Sequence, residues 1–424
     1  MTIALTTFSG LAPKIEPRTL AVGLSTECIN CRFEKGNLTS ILGTTPIGES
    51  VSALTRYIYL YEGLTWLQFN ERTNVVRSPI ANDSRQRVFY TGADYPKVYS
   101  QGSEFRLGVP LTTDAALATV VPLIALDPTD LNAETVLYTF TYVDAWGQEG
   151  GPNGHTASVT REIDTNVGLT NLPTVPGGVS GLNFGSGSLL RIYRSNTGTS
   201  DTAFQFVADI PLGQTSFVDT VPNAELGEVI PGFDWIPPPD DDLLLYPDGP
   251  LKGLVSLPNG VLAGYSGNTL AFSEPYLPHA WPFSYRLSVP EEIRGIAPLT
   301  QGALVVTDGR PYFLTGSSPT SYTLIDIDLN QACVSEESLV SLGEMAIYAS
   351  PDGLVGSTGT ETFLLTEDLF DKDTWAEYHP ESIRAWQHER KYVASYFDGR
   401  TFICLLYTSP SPRDATLSRM PSSA

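Results

Sequence analysis

Apolar residues in the second half of this chain come in paired runs separated by tight turns. Residues 261–265 lead through Gly267-Asn268 to 269–272, and residues 303–307 through Asp308-Gly309 to 311–314. Residues 345–349 lead through Asp352-Gly353 to 354–355, and residues 392–397 through Asp398-Gly399 to 401–403. A Gly-containing dipeptide between two apolar runs predicts a β-hairpin, because a type I′ turn needs positive φ at both central residues. The turns begin at residues 267, 308, 352 and 398, so their spacings are 41, 44 and 46 residues. A period of that size predicts a repeat architecture, here the blades of a β-propeller. The runs barely alternate with polar residues, which predicts sheets covered on both faces, as a blade is by its neighbours. A β-sandwich with regular turns is the alternative, although a sheet with one wet face shows cleaner period-two alternation.

Two similar segments lie nearer the N-terminus. Residues 57–61 turn at Glu62-Gly63 into 64–69, and residues 88–91 turn near Gly92 into 97–99. They predict two more blades, so the repeat set is interrupted by what lies between. There, residues 136–143, 189–194, 204–210 and 216–219 read as strands with cleaner alternation, and Asp144-Ala145-Trp146-Gly147 ends the first of them. An immunoglobulin-like or fibronectin III-like β-sandwich with one wet face fits this pattern. Between it and the repeats, Pro237-Pro238-Pro239 and Asp240-Asp241-Asp242 predict a semi-rigid, solvated linker. The best short helix candidate is at residues 366–370. The reading is thus all-β. Residues 1–117 carry the first blades, 118–236 the sandwich, 237–250 the linker and 251–403 the remaining blades; 404–424 form a tail treated below.

Composition narrows the functional classes. A chain of 424 residues has room for two or three domains, and its 37 Gly and 32 Pro suit a turn-rich β protein. The net charge of −22 disfavours specific nucleic-acid binding, which needs clustered Lys and Arg. The same charge suits a conduit through which DNA slides without sticking. Residues 1–11 have no basic region or long apolar core of a signal peptide, and no run is long enough to span a membrane. Four cysteines in this length argue against a disulfide framework and fit a reducing cytoplasm. In that compartment the sequons at Asn37 and Asn82 carry no meaning.

Searching for chemistry assigns no catalytic, cofactor-binding or metal-binding residue. Cys28 and Cys31 form a lone C-x-x-C without the second ligand pair that zinc needs, and read as two small semi-buried strand residues. Cys333 reads as core. His155, His279, His379 and His388 fall in no metalloprotease or nucleophile motif. Gly185-Ser186-Gly187-Ser188 reads as a loop between sandwich strands, and Trp146 as a packing anchor. Three adjacent aspartates at 240–242 do not make the six-oxygen cage of a calcium site. Ser350-Pro351-Asp352-Gly353 begins like the Asp-box turn of sialidase-type propellers, but its Gly comes one position early and no Thr-Trp follows. A glycan-processing hydrolase of that type is the enzyme alternative, and it needs a placed carboxylate pair.

Several stretches resemble a virion structural family of short-tailed bacteriophages. Pro17-Arg18-Thr19-Leu20 with residues 30–38 resembles its opening strand, and Asp83-Ser84-Arg85-Gln86-Arg87 through Gly92, with Pro96-Lys97-Val98, resembles a later segment. The densest likeness is in residues 273–282 (Ser-Glu-Pro-Tyr-Leu-Pro-His-Ala-Trp-Pro), 329–335 and 348–354. Residues 142–149 resemble the family's embedded sandwich. The likeness extends to about residue 403 and carries no catalytic signature. It implies a tail nozzle or tail tubular protein of the virion, folded and assembled in the host cytoplasm. It further implies a homo-oligomeric ring around the DNA path, meeting other tail and head–tail proteins and passing DNA without binding it specifically. No cofactor and no enzymatic step are implied. A tail-associated receptor binder, with exposed aromatics in the sandwich loops, is a further alternative.

The last residues resemble something else. Residues 404–414 and 418–424 are similar to a translated transposase-type sequencing adaptor, with a sample index between them. They are excluded from fold reasoning, as a fusion scar would be. They hold Arg413, Asp414 and Arg419, a net of +1, so the remaining residues carry −23, against −22 for the whole chain. The expectation is a C-terminally truncated repeat set whose visible blades are a minimum.

Overall fold

The computed structural model describes residues 8, 10–34, 36–40, 50–92, 94–127, 132–197, 202–397, 400–405 and 416–420. The protein is all-β: among these residues the only α-helix is Lys372–Ala376. Each predicted hairpin of the second half is the central pair of a four-stranded antiparallel sheet whose strands follow chain order. The first is Lys252–Leu257, Val261–Ser266, Thr269–Phe272 and Leu287–Ser288 (the 252–288 sheet). The 293–326 sheet is Ile293–Leu299, Gly302–Thr307, Tyr312–Thr315 and Thr323–Asp326. Val340–Ser341, Ala346–Ser350, Gly353–Ser357 and Thr362–Leu364 make the 340–364 sheet. In the last, Arg384–His388, Lys391–Tyr396 and Arg400–Leu405 are joined by Thr416–Met420, so part of the adaptor-like tail supplies an edge strand.

Near the N-terminus only one of the two predicted segments becomes a four-stranded sheet. It comprises Asn74–Arg77, Val88–Thr91, Lys97–Ser100 and Ser103–Arg106 (the 74–106 sheet). The other remains a two-stranded hairpin, Tyr57–Tyr61 with Thr65–Phe69. The opening strands of the sheets pack in succession: Asn74–Arg77 on Lys252–Leu257, then Ile293–Leu299, Val340–Ser341 and Arg384–His388.

Consecutive sheets are glued by apolar clusters, which explains the unbroken apolar runs. Phe89, Val98, Leu254, Leu262, Ala271 and Trp281 fill the space between the 74–106 and 252–288 sheets. On the opposite face Ala263, Tyr265, Leu270 and Phe272 meet Ile296, Val305 and Leu314 of the next sheet. All six residues of Val261–Ser266 are buried accordingly. Each large side chain so enclosed stabilises the fold by roughly 1.5–3 kcal/mol.

The turns follow a different chemistry from the one the dipeptides predict. Positive φ occurs at Gly267 (56°) without its neighbour, and at Gly353 (156°), which is already in the return strand; Asp398-Gly399 lies outside the described residues. At Asp308-Gly309 the Thr307 hydroxyl replaces a positive-φ pair, accepting from the Gly309 amide at 3.0 Å and donating to the Arg310 carbonyl at 2.6 Å. The paired positive φ of a type I′ turn appears at Glu62 (50°) and Gly63 (70°). The predicted helix at 366–370 is a turn. The helix starts six residues later because Asp371 accepts from the Thr374 amide at 2.8 Å and caps it.

Within 118–236 two three-stranded sheets enclose one core. Thr119–Pro122, Val167–Thr170 and Ser216–Asp219 form one; Tyr138–Val143, Leu189–Thr197 and Thr202–Pro211 form the other. Tyr138, Phe140, Tyr142, Leu169, Leu190 and Ile192 lie between them. The expected wet face is absent from the strand Tyr138–Val143 at one side of its sheet, which is buried throughout. Residues 149–156 fold back over it, where Thr139 donates to the Gly154 carbonyl and Thr141 to Glu149, both at 2.7 Å.

The expected linker is packed only at its start, and residues 241–245 are exposed as a solvated segment is. Pro238 and Pro239 are buried, and Asp240 and Asp241 lie 3.1 and 2.8 Å from Arg106, whose guanidinium sits 3.6 Å from the Tyr95 ring centroid. Proline stiffness here presents carboxylates to a fixed cation.

Candidate functional site

Five charged side chains converge at the 3₁₀ turn Glu336–Ser338, which links the 293–326 and 340–364 sheets. Hydrogen bonds fix this turn. Ser335 donates to the Ile383 carbonyl and Ser338 to the Ser335 carbonyl, each at 2.6 Å, while Ser338 accepts from the Ala349 amide at 2.8 Å. Cys333 anchors it from below. Burial pushes its thiol up to about 12, so it packs as an inert apolar group.

Adjacent Glu336 and Glu337 point at different cations. Glu336 pairs with Arg72 and, at 3.5 Å, with Arg294. Glu337 accepts from the Tyr57 hydroxyl through one oxygen and from Arg384 at 2.5 Å through the other. Burial, and then the Glu337 hydrogen bond, push the Tyr57 phenol up to about 12, so it keeps its proton. Two clefts flank the cluster. One of about 260 Å³ is lined by Arg72, Lys252, Glu71 and Glu336; the other, of about 270 Å³, by Tyr57, Arg72, Glu337, Arg384 and Trp386.

Chemically this is a set of three guanidinium groups and two carboxylates in which every arginine has a carboxylate partner. It ties residues 57–72 to the turn at 336–337 and to the strand at 384. No motif announces Tyr57, Arg72, Arg294 or Arg384; the Glu336-Glu337 doublet was the one visible signal.

Residues singled out by sequence lie apart from this cluster. His279 is buried beside Trp235, ring centroids 6.0 Å apart, and burial together with the Arg87 charge brings it down to about 4. His155 is bound by the Thr156 carbonyl, His379 stacks on Phe397, and His388 ends an exposed strand. Cys28 and Cys31 are joined as a disulfide, contrary to the expected pair of free strand residues. Three residues of separation bring the thiols within reach once Asn30 turns through φ 57°. Gly185-Ser186-Gly187-Ser188 closes on itself as a loop, through the Gly185 amide and Ser188 hydroxyl at 3.0 Å. Asn37 is exposed on a short strand and Asn82 takes φ 53° in a turn. Asp352 pairs with Lys372 at 2.9 Å, and the indole of Trp375 donates to the Ser350 carbonyl at 2.9 Å, so a distant tryptophan secures the turn that lacks its own. Among the described residues no group of three His, Cys, Asp or Glu is placed to hold a metal ion.

Trp146 is a packing anchor. Phe105 meets it edge-on at 5.3 Å, and the guanidinium groups of Arg85 and Arg87 lie 5.4 and 5.7 Å from its ring. Asp144 orders the same turn by accepting from the amides of Trp146 and Gln148 at 2.8 Å.

No family model and no curated protein matches this chain. Among solved structures, it is similar to YCF48 from Cyanidioschyzon merolae, with a TM-score of 0.24 and 10% identity over 56% of this chain and 73% of that one. It is also similar to apo AztD from Citrobacter koseri, with a TM-score of 0.24 and 9% identity over 82% of this chain and 97% of that one. At these scores neither likeness carries an argument about fold or function. No helix among the described residues is long and apolar enough to cross a membrane.

Proposed function

We propose that this chain is a structural component of a short-tailed bacteriophage tail, of the nozzle or tubular kind. In this reading the successive four-stranded sheets are propeller-like blades and residues 118–236 are an inserted immunoglobulin-like or fibronectin III-like sandwich. Copies of the chain assemble in the host cytoplasm into a ring on the virion, and its acidic surface lets DNA pass without sticking.

One observation carries the reading. Three segments with the family's sequence character meet at the seam between sandwich and sheets. Arg85 and Arg87 come from the first, Trp146 and Asp144 from the second, and buried His279 and Trp281 from the third. Part of the resemblance therefore falls on one structural joint, while residues 329–335 and 348–354 pack among other sheets. The self-paired cluster at Glu336 and Glu337 fits a strut in such a body. The test is assembly: electron microscopy of the purified chain at high concentration is expected to show rings, and mass spectrometry to find the protein in purified virions. A chain that stays monomeric and is absent from virions overturns the proposal.

A second reading, a sialidase-like hydrolase, is favoured by Arg72, Arg294 and Arg384 gathering with two glutamates and Tyr57. Against it, each guanidinium is already bound by a carboxylate. Release of methylumbelliferone from its sialoside by wild type but not by Tyr57→Phe would establish this reading; no release would remove it.

A further inference from the structure

A third cleft lies between the N-terminal hairpin and the 74–106 sheet. Across that sheet Tyr90 pairs with Lys97, and Tyr99 with Glu104. Strand alternation puts these four on one face and Phe89, Val98 and Phe105 on the other, which is the buried one. The hairpin covers the first face only in part. Tyr61 meets Tyr99 edge-on at 5.0 Å and Phe69 leans on Tyr90 at 5.3 Å. Between these contacts remains a cavity of about 340 Å³.

Its lining is mixed in a specific way. Trp66, Leu67 and Phe69 line it along the edge of one strand, Leu67 and Phe69 from its inner face and Trp66 from the other. Opposite stand Asp94 and Glu104, with side chains 49% and 48% exposed. Their carboxylates are held in place: Lys97 lies 3.0 Å from Asp94 and 3.2 Å from Glu104, and the Tyr90 hydroxyl donates to Glu104. Gly92 keeps the floor open for Glu71, since a Cβ there would stand 2.9 Å from the Glu71 carboxylate.

We propose that this cleft binds a saccharide, specifically a neutral or amino sugar. A sugar ring offers an apolar C–H face and a rim of hydroxyl donors. Aromatic walls take the first, and carboxylates fixed by Lys97 and Tyr90 accept from the second. The volume is within the ordinary range of small-ligand sites, roughly 300–1,000 Å³. Charge sets the class: Asp94 and Glu104 share one ammonium, Lys97, so the cleft repels acidic sugars and tolerates a cationic one. This inference stands apart from the tail assignment, and neither depends on the other.

Saturation-transfer NMR on the full chain tests it, with glucose, galactose, N-acetylglucosamine, glucosamine and sialyllactose as probes. At least one neutral or amino sugar is expected to bind with a Kd of about 10 mM or tighter, and sialyllactose is expected not to bind. Trp66→Ala and Asp94→Asn are each expected to weaken binding by about tenfold or more. Circular dichroism checks that both variants fold, and if Trp66→Ala does not, the exposed Asp94→Asn decides. No binding by any neutral or amino probe, a preference for sialyllactose, or binding unchanged in the folded variants overturns the proposal.

Discussion

Arg194 and Asp219 form an ion pair in which both side chains are at 0% exposure, enclosed between the two sheets of the 118–236 module. Asp219 also accepts from the Tyr138 hydroxyl at 2.7 Å and the Val221 amide at 2.9 Å, while Arg194 donates to the Val221 carbonyl at 3.0 Å and to Asn223 at 2.9 Å. Removing one charge leaves the other buried without its counterion. Asp219→Asn is therefore expected to destabilise the module by roughly 3–5 kcal/mol. Tyr138→Phe removes one hydrogen bond and is expected to cost about 1–1.5 kcal/mol. Urea melts followed by near-ultraviolet circular dichroism read both changes, and equal midpoints for the two variants would contradict the ranking.

Much of the fold was legible where local signals are strong. The inner hairpins at 261–272 and 303–314 are continuous apolar runs around short turns, and burial on both faces follows from that continuity. The outer strands were silent for physical reasons. Leu287–Ser288 and Val340–Ser341 have two residues each, and Ile293–Leu299 carries Pro298 and a register shift between Ile293 and Gly295. The segment at 237–250 is exposed over 241–245 as its aspartates suggest, but the pairing of Asp240 and Asp241 with Arg106, more than a hundred residues earlier, leaves no local signal. The cluster at Glu336 shows only its glutamate doublet for the same reason: its partners Tyr57, Arg72, Arg294 and Arg384 come from distant parts of the chain.

The Glu336 and Glu337 cluster fastens the N-terminal hairpin without adding much to global stability. Its side chains are a quarter to a half exposed, so each ion pair contributes about 0–1 kcal/mol and weakens with salt. Arg72→Met and Glu337→Gln should then leave the main unfolding transition nearly unmoved while loosening residues 57–69. Hydrogen exchange is expected to accelerate in that hairpin and not in the 293–326 sheet. Uniform acceleration across both would show that the cluster supports the whole body instead.

Gly253 is required at a bulge in the opening strand of the 252–288 sheet. Its φ is 62°, and a Cβ would stand 2.2 Å from the Tyr265 ring. Alanine at this position meets both the left-handed backbone penalty and an aromatic ring that is itself buried and bonded to the Arg294 carbonyl at 3.0 Å. Gly253→Ala is expected to destabilise by at least about 2 kcal/mol, from backbone strain and overpacking together. A Tyr265→Leu background should recover part of that loss. A thermal melt showing no recovery would assign the whole effect to φ.

His279 makes stability depend on pH in a defined window. Burial is the main cause of its low value of about 4, against an ordinary 6.5, and the Arg87 charge adds to it while a hydrogen bond with the Glu149 backbone opposes it. The unfolded chain takes up a proton below 6.5 and the folded chain does so only near 4, so between these values the unfolded state binds more protons. Stability from this residue is complete above 6.5 and is lost as pH falls toward 4. A shift from 6.5 to about 4 corresponds to a loss on the order of 3 kcal/mol. Nearby Asp144, whose carboxyl burial raises, works in the opposite sense at the acid end, so the difference between wild type and His279→Gln is the quantity to read. Denaturation midpoints at pH 4.5 and pH 7 should differ more for wild type than for His279→Gln, and equal differences would show that His279 is protonated within the fold.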